Sequence, residues 1–323
     1  MEYAPLGTTG IEVSRLALGC GNFGGIGSAP EFFGQGETEE QAAELLDAAR
    51  RLGITLLDTA DAYGGGRSER WLGTWLARQP AAVRESALVT TKVFHSVAGD
   101  PADHGLAPAR LVRQLEGSLR RLRVAHVDLY LIHEPDPDTP LEDTLVALDG
   151  LVRAGTVRAI GGSNLGAAEL ERALAISEER GLARFECVQN SYSLLDRSSA
   201  DVLSICERER LAFTAFGPLA GGWLTGKYRR DEQPPAGSRM TLRPEPYREL
   251  ETTAVFDALE AFAGAARERG VDMATLALAW LLSDSRIASV IVGPRRPEHL
   301  EPARRALELR LSPAERDTLA TLF

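Results

Sequence analysis

ITLLDTADAYG (54–64), SALVTTK (86–92) and HVDLYLIH (126–133) are three successive apolar runs that close on ionisable side chains. Asp58 ends the apolar part of the first, and Tyr63 follows in its loop. Lys92 ends the second and His133 the third. GITLLD and VDLYLI show no clean alternation of apolar and polar residues, as expected of strands buried on both faces. A barrel of parallel strands gathers its strand ends at one mouth. On such a fold these four side chains converge, and they set a carboxylate, a phenol, an ammonium and an imidazole side by side.

The pattern extends outward in both directions. Strands are expected at 16–20, 55–59, 87–91, 127–132, 157–162, 185–190, 212–216 and 288–292, with amphipathic helical runs between them. That alternation reads as βαβ units on a parallel sheet, and eight strands close a (β/α)8 barrel. ETEEQAAELLDAARRLG (37–53) carries acids in its first turns, basic residues near its end and a terminal glycine, the signature of a complete helix. Residues 2–15 read as a hairpin plugging the barrel bottom. Residues 219–251 read as a long polar lid loop after the seventh barrel strand. No linker divides the chain, so one α/β domain spans 1–323. LALGCGNFGG contains G-x-G-x-x-G (19–24), the phosphate turn of a doubly wound sheet, but SAPEFFGQG intervenes before any helix.

Composition fits a soluble, cytoplasmic enzyme. Of 323 residues, 44% are hydrophobic, and the net charge is −10, which argues against nucleic acid or an anionic membrane as partner. Cys20, Cys187 and Cys206 are too few and too scattered for a disulfide framework or a zinc site. HEPDPD is too broken by proline to hold a metal, so none is expected. The N-terminus lacks a basic n-region and an apolar h-region, and no stretch approaches the roughly 18 apolar residues of a membrane span.

A buried Asp58 needs a partner, and Lys92 at the next strand end supplies it. The plainer reading of these two is an ordinary ion pair. A lysine beside a phenol favours the phenolate and lowers the tyrosine pKa, which suits Tyr63 to protonate an alkoxide. His133 lies in line with the other three. No G-x-S-x-G elbow points to hydrolysis instead.

Taken together, LGTTGIEVSRLALGCGNFGG, GITLLDTADAYGGGRSERWLG, VTTK, DLYLIHEPD, LVRAGTVRAIGGSN, VQNSYS, FGPLAGGWLTGKY and IVGPRRPEHL resemble the aldo-keto reductases, bacterial members and channel β subunits included. The resemblance implies an NADP-dependent barrel that reduces an aldehyde or ketone, sugar-like or natural-product carbonyls included, with the tetrad Asp58, Tyr63, Lys92 and His133 and with Tyr63 as proton donor. It also implies that Ser163, Asn164 and Gln189 hold the nicotinamide carboxamide, although Ser163 and Asn164 also suit a helix N-cap. Phe216 would stack on the nicotinamide where relatives carry tyrosine. Gly217, Leu219 and Gly221 would approach the pyrophosphate. Lys227 would reach it or stay a solvated loop lysine.

Gly293, Arg295, Arg296 and His299 would surround a 2′-phosphate, aided by a helix from Pro297. Pro302 and Ala303 replace the usual adenine contacts, so NAD stays an alternative. Phe23, Phe32, Phe33 and Trp223 are candidates for an apolar substrate wall, or for a hydrophobic cluster within their loops. Trp71 and Trp75, four apart on a helix, read as core, and Cys20 as a packed small side chain. A homo-oligomer is compatible with the sequence. An NADP-binding sensing subunit with slow turnover is the rival function, because fold alone does not separate it from an enzyme.

Overall fold

The computed structural model describes residues 1–323. Ten strands form: β1 (Tyr3–Pro5), β2 (Glu12–Ser14), β3 (Leu16–Gly19), β4 (Leu56–Asp58), β5 (Leu88–Val93), β6 (Val127–Ile132), β7 (Val157–Ser163), β8 (Phe185–Ser191), β9 (Ala212–Phe216) and β10 (Ile287–Val292). β1 and β2 pair antiparallel, and the other eight close in the order β10-β3-β4-β5-β6-β7-β8-β9 with every pair parallel. This is the (β/α)8 barrel that the sequence predicts. The doubly wound alternative is excluded, because β10 hydrogen-bonds β3 and leaves no edge.

Alternation along the strands sorts the side chains. Leu56, Leu88, Leu129, Leu131, Cys187 and Ile291 point inward and fill the barrel. Ala4, Leu6, Ile11 and Val13 of the hairpin join the same buried cluster, so the hairpin stoppers the end from which β3 starts. Leu57, Val89, Val93, Tyr130 and Ile132 point outward into the larger layer between sheet and helices. The strand ends are thereby free to carry polar groups on an apolar floor.

Local chemistry sets the helices. Glu39–Leu52 starts at a capping box, in which the Thr38 hydroxyl accepts from Gln41 N and the Gln41 side chain accepts from Thr38 N. It stops at Gly53, whose φ of 84° lets its N–H reach back to Ala49 and Arg50 carbonyls. Met273–Leu282 is apolar nearly all round, and nine of its ten residues are buried. No helix is long and apolar enough to cross a membrane.

The segment 219–251 differs from the expected loop. It folds into a 3-10 turn at Ala220–Thr225, a helical turn at Arg239–Leu242 and another 3-10 turn at Glu245–Leu250. Trp223, only 1% exposed, anchors it against Tyr228 and Phe256 with ring centroids 5.1 and 5.5 Å away. A buried indole of that area gives a surface segment its own small core. It also removes Trp223 from any substrate wall. Phe23, 1% exposed, is likewise core and not wall. Phe32 and Phe33 are half-exposed and stay available at the mouth. Trp75 is core as expected, with its indole N–H donating to Asp47 at 2.9 Å.

Candidate active site

The C-terminal ends of β4, β5 and β6 bring the four expected residues together. Lys92 Nζ donates to Asp58 Oδ2 at 2.8 Å and to the Thr59 carbonyl at 2.9 Å, and lies 3.4 Å from Tyr63 Oη. The ammonium also stands 4.9 Å from the Tyr63 ring centroid. The His133 ring meets the Tyr63 ring edge-on at 5.5 Å.

Backbone geometry holds Tyr63 in place. The turn after β4 is stitched to β5 by Thr59 N to Thr90 O and Asp61 N to Lys92 O, at 2.9 and 3.1 Å. Tyr63 then leads into three glycines with φ of 58°, 66° and 78°. A Cβ on Gly64 would lie 2.6 Å from the Phe23 carbonyl, so only glycine lets this turn close on the loop after β3. His133 N donates to Val93 O at 2.9 Å, and the His133 carbonyl accepts from Asn164 Nδ2 at 3.0 Å.

Electrostatics separate the roles. Burial alone would depress the Lys92 ammonium, but attraction to Asp58 and then Tyr63, with their hydrogen bonds, wins and raises its pKa. Burial raises the Tyr63 phenol above its ordinary value, with Lys92 pulling the other way and Asp58 adding to the rise. This corrects the expectation of a lowered tyrosine pKa: desolvation of the hydroxyl outweighs one nearby cation that is already neutralised by Asp58. Burial, then Lys92, then His95 push the His133 imidazole well below the usual histidine range, so it is neutral at physiological pH. Its Nδ1 is buried with no partner.

The expected cofactor residues line the same mouth, with differences. Gln189, on β8 across the barrel from β4, donates one amide N–H to Asp58 Oδ1 at 2.8 Å, which leaves its second N–H and its carbonyl oxygen to meet a ligand. Ser163 is buried at the end of β7, and Asn164 beside it adopts φ 57°. Phe216 ends β9 with its ring partly exposed. Gly217 has φ 66°, and Gly293 faces open space. Leu219 precedes the 3-10 turn. Gly221 is covered on its Cβ side by the Tyr247 ring, within 3 Å of where a side chain would start.

Lys227 is exposed, yet partial desolvation and then the charges of Arg239 and Arg295 lower its pKa, so three cations share one neighbourhood. Arg295 Nε donates to Glu37 Oε1 at 2.9 Å and its Nη1 to Gly237 O at 2.7 Å, which ties the turn after β10 to the loop after β3 and to the lid. Arg296 is exposed and unpaired. His299 Nδ1 accepts from Arg295 N at 3.3 Å. The expected helix from Pro297 is a four-residue 3-10 turn followed by a short helix at Glu301–Ala306, in which Ala303 is buried core. It therefore offers little dipole. The prolines at 297 and 302 limit regular helix there.

Sequence reasoning missed four residues here. His95 lies three positions past Lys92, with its ring 4.9 Å from that of His133 and its Nε2 3.1 Å from Glu134 Oε1. It obeys the same rule of ionisable groups after strand ends, and that rule would have found it. Arg239, which donates to Asn22 Oδ1 at 3.1 Å, and Glu37, a carboxylate 3% exposed, come together only through tertiary folding. Asp61 is fully buried with both carboxyl oxygens unpartnered. Burial and then Glu69 raise its pKa well above the usual range.

Comparison with known proteins shows the family of the chain. The model of the Aldo/keto reductase family matches residues 15–322. An uncharacterized oxidoreductase of Bacillus subtilis (strain 168), YrpG, is 36% identical over 322 residues, covering 96% of this chain and 92% of that protein. A probable voltage-gated potassium channel subunit beta of Oryza sativa subsp. japonica is 32% identical, covering 96% of this chain and 92% of its own. An NADH-specific methylglyoxal reductase of Escherichia coli (strain K12) is 31% identical, covering 98% and 96%.

Proposed function

The chain belongs to the aldo/keto reductase family, and from that premise we propose that it reduces an aldehyde or ketone to an alcohol with NADPH, Tyr63 giving the proton. One observation carries the reading: Lys92 Nζ is shared between Asp58 at 2.8 Å and Tyr63 Oη at 3.4 Å, with His133 against the same phenol. When bound, the nicotinamide cofactor supplies a hydride. The Tyr63 hydroxyl and the neutral His133 imidazole both offer hydrogen bonds to the carbonyl oxygen, where negative charge develops. Tyr63 then transfers its proton to that oxygen. Lys92 steadies the phenolate left behind, and Asp58 and the Thr59 carbonyl keep Lys92 aimed at it.

The residues at the mouth fit a dinucleotide. Lys227, Arg239 and Arg295 concentrate positive charge suited to phosphates. Asn164 and the free carbonyl of Gln189 suit an amide, and the half-exposed Phe216 ring suits stacking. The methylglyoxal reductase among the relatives makes small carbonyls the first probes. Consumption of NADPH with a panel of aldehydes and ketones tests the reading. Tight cofactor binding with no turnover on any of them would favour the sensing role, to which the channel-subunit relative gives weight.

The reaction is expected to run at constant kcat/KM through neutral pH. The donor must carry its proton, and the Tyr63 pKa lies above its ordinary value of about 10, so rate falls only as pH rises beyond that. His133 stays neutral, so no acid limb is expected near its ordinary 6.5. An acid limb between about pH 6 and 7 would remove neutral His133 from the scheme.

A second reading, NAD as cofactor, is favoured by Glu37. Its carboxylate occupies Arg295 and repels a 2′-phosphate in the same place. The Arg295→Ala/Arg296→Ala double variant decides between them. For an NADP enzyme, NADPH should weaken about tenfold or more while NADH barely changes, since a charge-assisted hydrogen bond is worth about 1.5–3 kcal/mol. Equal weakening of both, or a wild type that prefers NADH, moves the cofactor to NAD.

A further inference from the structure

A groove of about 470 Å³ lies on the outer wall of the barrel, away from the mouth. The helices Arg67–Arg78 and Pro108–Leu122 cross there, and they can do so closely because a Cβ on Gly73 would come within 2.3 Å of the Arg121 carbonyl. The crossing brings Arg70 of the first helix beside Arg120, Arg121 and Arg123 of the second, with the half-buried indole of Trp71 on the same wall. Glu39 is the lone acid in the lining.

These arginines are poorly compensated, in a chain whose net charge is −10. Arg123 stands exposed at the left-handed end of its helix with no ion pair. Arg120 reaches Glu116 only at 3.9 Å, with both side chains largely exposed. Arg70 has one long bond, to the Gly65 carbonyl at 3.3 Å, and the charges of Arg121 and Arg67 bear on it. Only Arg121 is fixed, by Glu69 at 2.6 Å. Other surface arginines do hold acids: Arg304 holds Glu301 and Glu308 at 2.7 and 2.8 Å, and Arg208 holds Glu171 and Glu209 at 3.0 and 2.9 Å. Gathering like charges does not help folding, and here four arginines converge on one groove with Glu39 as the lone acid in its lining.

We propose that this groove is a second ligand site, separate from the barrel mouth, for a phosphate ester carrying a planar ring, of the nucleoside monophosphate class. Guanidinium forks match phosphate oxygens in pairs, and an indole face stacks on a base. The volume lies within the span of about 300–1,000 Å³ typical of small-molecule sites. The lining is polar and open, so charge holds the ligand more than burial does, and salt weakens it.

Isothermal titration of 5′-AMP into protein carrying one equivalent of NADPH, so that the mouth is already filled, tests the site. Inorganic phosphate and adenosine serve as controls for charge alone and ring alone. The Arg120→Ala/Arg123→Ala variant removes two exposed side chains whose one partner is Glu116, 3.9 Å from Arg120, and leaves the Arg121–Glu69 pair intact. The wild type is expected to bind 5′-AMP more tightly than either control. The variant should lose about tenfold or more, by the loss of charge-assisted contacts, and raising salt from 50 to 300 mM should weaken the wild type alone. No 5′-AMP binding by the loaded wild type, or undiminished binding by the variant, overturns the site. Phosphate that binds as tightly as 5′-AMP overturns the ring. Arg120→Ala alone, with its melting curve, guards against a folding defect in the double variant.

Discussion

Tyr63→Phe is expected to lose roughly 10²–10⁴-fold in kcat for carbonyl reduction, the span attributed to a positioned general acid. The substitution deletes one hydroxyl and keeps the ring that packs against His133 and under Lys92. Cofactor affinity, read by fluorescence titration, should therefore stay within about twofold, since less than 0.5 kcal/mol separates such values. The hydroxyl is placed for proton transfer by its 3.4 Å approach to Lys92 Nζ, and burial keeps it protonated at working pH. No other phenol or thiol competes for the role at this end of the barrel. Cys20 is buried and its thiol is pushed far up by burial, then by Asp58. A Tyr63→Phe enzyme with wild-type kcat would assign the proton elsewhere, and His133 would be the next candidate.

The sequence alone made the barrel legible because strands and helices here obey separate periods, and both were readable. The strand expected at 212–216 is Ala212–Phe216 and that at 127–132 is Val127–Ile132. Ionisable residues at the ends of apolar runs located Asp58, Lys92 and His133, because burying a charge is costly unless the fold gives it a partner. What stayed hidden depends on contacts between distant loops. Glu37 and Arg295 are 258 positions apart, and no local pattern says that they meet.

Burial of loop aromatics was illegible for the same reason. Phe23 and Trp223 sit in glycine-rich segments that look exposed, yet tertiary packing buries both to 1%. The direction of the Tyr63 shift needed more than a neighbour list. Lys92 was visible from sequence, but the depth of burial and the prior claim of Asp58 on that charge were not.

Lys92→Met is expected to cost stability and rate together, and the two losses have separable causes. Methionine keeps an unbranched apolar stem in the barrel, so the change is chiefly the missing ammonium. Lys92 is 1% exposed in its side chain and Asp58 6%, which makes this a buried pair. Breaking such a pair from one side costs about 3–5 kcal/mol, because the remaining charge is left in a poorly solvating interior. Gln189 still donates to Asp58 Oδ1 in the variant and sets a floor under the damage. The loss should shrink as pH falls. An unpaired buried carboxylate has a raised pKa, and its cost vanishes once the solution is acid enough to protonate it in the unfolded chain as well. Adding Asp58→Asn to Lys92→Met should therefore recover much of the melting temperature at neutral pH, since no orphan charge remains. Activity should not return with it, because Tyr63 still lacks the ammonium that steadies its phenolate. Denaturant unfolding and NADPH-linked turnover, measured on both variants, read the two effects apart. Unchanged stability in Lys92→Met would sink the buried-pair account, and recovery of turnover in the double variant would show that Lys92 serves only the fold.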